Sequence, residues 1–199
     1  MKKLAPILTL FLINSITIIG VCFLGWNIYQ IILVFLMECF MVGFFNVLKM
    51  ALAEKKSDSI GVPTSTTKTK IILFFCLHYF AFIFILSIVT LSFVIDIHKL
   101  DFWNFDFKLA FISLMIACLA NFYSSYIMTG IYHTTKPDDF FFAPYGRIMI
   151  LAALVFSTVC FKKKMMPVED FYAFILVGAK FIVDLISYFL FNRTTLSKS

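Results

Sequence analysis

Charge is scarce in this chain. Charged residues make up 14% of its 199 positions, against about 25% in a soluble domain. Cysteine chemistry is equally thin. Cys22, Cys39, Cys76, Cys118 and Cys160 stand singly inside apolar runs with no CxxC among them, which excludes a disulfide framework or a zinc ribbon. The HExxH, Walker A, GxSxG and GxGxxG patterns are all missing, so the common metallopeptidase, nucleotide-binding and hydrolase signatures are not available. Three isolated histidines, His78, His98 and His133, do not suggest a metal or haem centre, and no cofactor is expected. Apolar side chains are what the sequence has in abundance. They fill 62% of the chain, with 27 phenylalanines, and mean hydropathy is +0.98. A soluble fold of this length cannot bury so much apolar surface, so the expected solvent is lipid.

Six apolar runs are long enough for membrane spans: 4–24, 28–52, 71–95, 109–132, 145–161 and 171–191. The expected fold class is therefore an all-α bundle of six transmembrane helices, a single membrane domain with no soluble domain and no internal repeat. Only "GWN" separates the first two runs. Gly25 can end one helix, Asn27 can cap the next, and Trp26 and Tyr29 suit an interfacial belt. The first run has a long apolar part and no A-x-A site before Trp26, which argues against a cleaved signal peptide. Residues 53–70, "AEKKSDSIGVPTSTTKTK", read as a flexible polar loop.

The net charge of +6 is not a nucleic-acid footprint, because Lys and Arg concentrate in loops and tails. Nucleic acid is not expected as a partner. Eleven Lys and Arg fall on the side of the two termini and five on the other, with Lys180 inside the last span left out. That bias places both termini in the cytoplasm of a multi-pass protein, against the contrary triplet Lys162, Lys163 and Lys164.

Polar residues inside the spans are few, and each one needs a reason. Glu38 lies ten residues into the second run, roughly 15 Å deep at 1.5 Å per residue, which is the midplane. An unpaired charge there costs at least about 2.5 kcal/mol, so it must find a partner. Lys180 and Asp184 are four residues apart in the last run and share one helix face, which Ser187 and Tyr188 continue. His78 lies about 10 Å into the third run, and Arg147 sits one turn into the fifth. Asn121, Ser124 and Ser125 occupy the fourth, and Asn46 and Lys49 the end of the second. By helix parity, Asn46, Lys49, His78, Arg147 and Asp184 fall in one half of the membrane, with Glu38, Asn121 and Lys180 near its midpoint. The candidate binding site is thus a polar intramembrane cluster of Glu38, Asn46, Lys49, His78, Asn121, Arg147, Lys180 and Asp184, with Lys49 free to snorkel outward. The small-residue stripe Ala110, Ser113, Ala117, Ala120 and Ser124 reads as close helix packing, or else as an oligomer interface.

The segments around these residues resemble a known family. Glu38 followed by "GFFNVLK" at 43–49, "HYF" at 78–80, "PYGRIMIL" at 144–151 and "KFIVD" at 180–184 are similar to motifs of a family of prokaryotic multispanning membrane proteins, a domain of unknown function. The resemblance covers about residues 25–190. It implies importance for Glu38, Gly43, Asn46, Lys49, His78, Tyr79, Pro144, Tyr145, Arg147, Lys180 and Asp184, and a prokaryotic inner or plasma membrane as the location. Family members carry further histidines where this chain has Leu86 and Ala152, which weakens any histidine-based metal, haem or proton-relay role here. Three functions fit the cluster. It is a transporter-like or ion- or proton-handling site, or a structural or assembly protein held by a buried salt-bridge network, or, as the least favoured, an intramembrane enzyme acting on a lipid headgroup. The implied partners are the bilayer, a small solute, ion or lipid, and a second copy of the chain.

Overall fold

The computed structural model describes residues 4–26, 28–55, 64–94 and 105–165, with 177–178, 180–182 and 185. The fold is all-helical, with no strand among the described residues. In chain order the helices are α1 (Leu4–Phe23), α2 (Ile28–Leu52), α3 (Thr64–Val89), α4 (Phe105–Phe122) and α5 (Tyr145–Met165). Helical residues 177–178, 180–182 and 185 belong to a sixth, α6. Among the described residues, four helices are long and apolar enough to cross a membrane.

The helices form where the apolar runs are, and their ends have local causes. Gly25 adopts φ +63°, a left-handed conformation that stops α1 without a Cβ penalty. The chain then folds back so that the Trp26 amide donates to the Gly20 carbonyl at 3.0 Å. The Trp26 indole lies directly on Gly20, where a Cβ would come within 2.1 Å of the ring, and it stacks on Phe107 of α4. Trp26 is therefore a buried packing residue, not a belt residue. The cap expected at Asn27 lies outside the described residues.

Two expected boundaries are corrected. Residues 64–70 are not loop, since α3 begins at Thr64. Pro63 precedes it, and proline is at home just ahead of a helix. Lys68 explains why the polar stretch orders: its ammonium donates to the Ala53 carbonyl at 2.8 Å, placing a cation on the C-terminal carbonyls of α2. The fourth run does not stay helical to residue 132. Helix α4 widens into a π turn at Tyr123–Ile127, and Gly130 at φ +67° ends it.

Residues 128–144 then close that end of the bundle through two short 3₁₀ turns, Ile131–His133 and Pro137–Phe140. Pro137, Phe140 and Pro144 are buried. The Glu54 amide donates to Tyr132 O at 2.9 Å and the Lys55 amide to Thr135 O at 3.2 Å. His133 Nδ1 meets Glu54 Oε2 at 2.6 Å. The ends of α2 and α4 and the start of α5 thus meet at one level, as helix parity requires.

Helix α2 is the axis of the fold. In its spanning stretch 61% of the residues are buried, against 22% in α3 and 28% in α4 and α5. The outer helices present Leu73, Leu77, Phe84, Ile116 and Met149 to the surroundings, each more than 60% exposed. The small-residue stripe of α4 packs inward at Ala110 and Ala117, while Ala120 is exposed.

Candidate functional site

The site is built from the middle of α2 outward. Glu38 is fully buried. Its Oε1 receives a hydrogen bond from Arg147 Nη1 of α5 at 2.7 Å, and its Oε2 lies 2.8 Å from Lys180 Nζ of α6. The second contact is a charge pairing without hydrogen-bond alignment. Lys180 has another partner, donating to Asn14 Oδ1 of α1 at 2.9 Å, and its ammonium stands 5.5 Å from the centre of the Phe35 ring. Four helices therefore converge on one carboxylate. Lys180 is 2% exposed and Arg147 keeps 17% of its side chain exposed. Pairing of this kind is what makes a buried charge tolerable. Removal of one member of a buried pair costs about 3–5 kcal/mol.

The remaining two helices support this node. From α4, buried Cys118 lies within electrostatic reach of Glu38, Arg147, Lys49 and Lys180. From α3, fully buried Tyr79 donates its hydroxyl to the Cys39 carbonyl at 2.9 Å. Its ring passes so close to Gly43 that a Cβ there would sit 2.1 Å from it. Gly43 is thus the notch that admits Tyr79, and Tyr79 fixes the α2 turn that carries Glu38.

The other sequence candidates separate. Asn46 is buried and donates its amide to the Phe140 carbonyl, so it holds the closing segment 128–144 rather than the node. Lys49 does not reach freely outward. It is only partly exposed, lies in the field of Arg147 and Cys118, and its own carbonyl accepts from the Tyr126 hydroxyl at 2.7 Å. Asn121 accepts from Ser125 Oγ within α4 at 2.8 Å. His78 lies in α3 but faces outward. It is exposed, with Nδ1 2.7 Å from the Tyr145 hydroxyl. Asp184 lies outside the described residues, as do Ser187 and Tyr188. Among the described residues no three His, Cys, Asp or Glu side chains gather as a metal site.

Sequence reasoning missed Asn14 and Cys118. Asn14 left a usable signal, because it lies ten residues into α1 as Glu38 lies ten residues into α2. Cys118 left none, being one apolar-run cysteine among five.

Comparison with known proteins settles the kinship. The model of a family of unknown function, DUF6498, matches residues 1–198. The chain belongs to that family. No curated protein and no solved structure matches it. The DUF6498 match takes in every residue of the node, from Asn14 to Lys180.

Proposed function

We propose that this member of DUF6498 is a multi-pass membrane protein whose Glu38 node locks the helices in one closed arrangement, so that its role is structural or in assembly. The observation that carries this reading is the enclosure of Glu38, which is fully buried with one cation on each oxygen. A dry, paired cluster suits a lock, whereas a working ion or solute site needs water to reach the carboxylate. Lipid as the solvent follows from the same surface argument as before. Phe74, Leu77, Phe84, Phe142 and Met149 are each more than half exposed, an exposure of large apolar side chains that suits a lipid-facing surface.

Cys118 offers a direct test. In a variant retaining only this cysteine, a water-soluble methanethiosulfonate reagent should leave the thiol unmodified in native membranes. Fast modification would mean a hydrated site and would favour the second reading, an ion- or proton-handling or transporter-like protein. One observation supports that alternative: the 17% exposure of Arg147 gives the node an edge open to its surroundings. Topology is checked separately. Reporters inserted at Ser65 and fused after Ser199 should both read cytoplasmic under the charge bias, and opposite readings would refute six spans.

A further inference from the structure

His78 and Tyr145 sit on the outer face of the bundle, away from the Glu38 node. His78 is seven residues past Ile71, the first apolar residue after Lys70, or about 10 Å along α3. The Tyr145 hydroxyl, 2.7 Å from Nδ1, has no other hydrogen-bond partner among the described residues. In the tautomer with Nδ1 unprotonated the hydroxyl donates to it, which leaves every acceptor of the pair satisfied. The imidazole proton then stands on Nε2. No acceptor among the described residues meets Nε2, so on the membrane reading this donor faces lipid.

The walls around this donor are flat. The Phe74 ring stacks on His78 at 5.7 Å and 8°, and on Phe141 at 5.7 Å and 13°. Phe82 meets His78 edge-on at 5.0 Å. Phe74 and Phe82 are themselves exposed, at 59% and 43%. Of the basic side chains on the same two helices, Lys68 is engaged on the Ala53 carbonyl and Arg147 on Glu38, while Lys70 is exposed eight residues before His78. A phosphate headgroup would pair with Lys70, roughly 12 Å along α3 from His78, and so lie away from Nε2.

We infer that His78, Tyr145, Phe74 and Phe82 form a membrane-facing site for a lipid-soluble planar ring bearing a carbonyl, the quinoid class, with the carbonyl accepting from His78 Nε2. The ring stacks on the exposed aromatics, and its apolar tail stays in the bilayer. Tyr145 is a positioning residue that holds the imidazole in the donating tautomer. This inference rests on the membrane part of the proposed function and is independent of the lock.

The test uses the full chain in phosphatidylcholine nanodiscs and a decyl-tailed benzoquinone as probe. Empty nanodiscs and decylbenzene, which lacks the carbonyl, serve as references. Saturable binding of the quinone above both references is expected. His78→Phe and Tyr145→Phe should each weaken it about tenfold, the scale of one lost hydrogen bond. His78→Gln keeps a donor near Nε2 and should restore it, and His133→Ala should leave it unchanged. Absence of saturable binding by membrane-inserted protein, equal binding by His78→Phe, or occupation of this face by a second copy in cross-linking through His78→Cys would each overturn the site. Release of the chain by alkaline carbonate would instead refute the membrane reading, and the site with it.

Discussion

Glu38 and His78 are polar residues inside the apolar runs of neighbouring helices, and the fold treats them in opposite ways. Glu38 points to the axis, is fully buried and is held by α5 and α6. His78 points outward, is exposed and is held by one tyrosine. The difference lies in charge. A buried carboxylate is strongly unfavourable without cations, and Glu38 has one beside each oxygen. A neutral imidazole needs only hydrogen-bond partners, and a single hydroxyl meets half of that need. The inner group should govern stability, and the outer one should govern what the surface meets.

The sharpest way to break this contrast is to neutralise the inner group. Glu38→Gln removes the anion shared by Arg147 and Lys180 and should lower unfolding free energy by about 3–5 kcal/mol, read by detergent-induced unfolding followed by circular dichroism. Loss under about 1 kcal/mol would mean that water already screens the node. A smaller effect, about 1–3 kcal/mol, is expected for Gly43→Leu, because the new side chain collides with the Tyr79 ring that now lies 2.1 Å from the ideal Cβ position. Unchanged stability there would show that Tyr79 does not brace α2. Asn14→Ala should cost about 1 kcal/mol through the lost acceptor for Lys180, and the same assay checks it. At the solvated end, His133→Ala breaks a contact whose side chains are 55% and 57% exposed, so a change of about 0–1 kcal/mol is expected. A larger loss would place the closing segment 128–144 among the stabilising elements rather than the peripheral ones.

Much of the fold was legible because a long apolar run alone identifies a long apolar helix. The α1–α2 hairpin followed from Gly25, and α2 matches its expected bounds of 28–52. The ends of α3 and α4 were not legible. Hydropathy marks where lipid begins, not where hydrogen bonding begins, so Thr64–Lys70 looked like loop although Lys68 ties it to α2. The site shows the same division. Position within apolar runs singled out Glu38, Arg147 and Lys180, and the fold brings these three together. Depth could not say that His78 faces outward. Helices that are apolar all round carry no periodic pattern from which a facing direction can be read. Asn14, ten residues into α1, carries no charge, so its place in an apolar run makes a weaker demand for a partner than that of Glu38.

The central claim is that Glu38 and Lys180 are coupled in a dry node, and a double-mutant cycle tests it most directly. Glu38→Gln leaves two cations close together, so adding Lys180→Met should relieve repulsion. The double variant is predicted to be no less stable than Glu38→Gln alone, with an interaction energy of about 1–3 kcal/mol. Strictly additive losses would contradict the account, because they would mean that the contact measured at 2.8 Å between Lys180 Nζ and Glu38 Oε2 contributes nothing to holding the helices together.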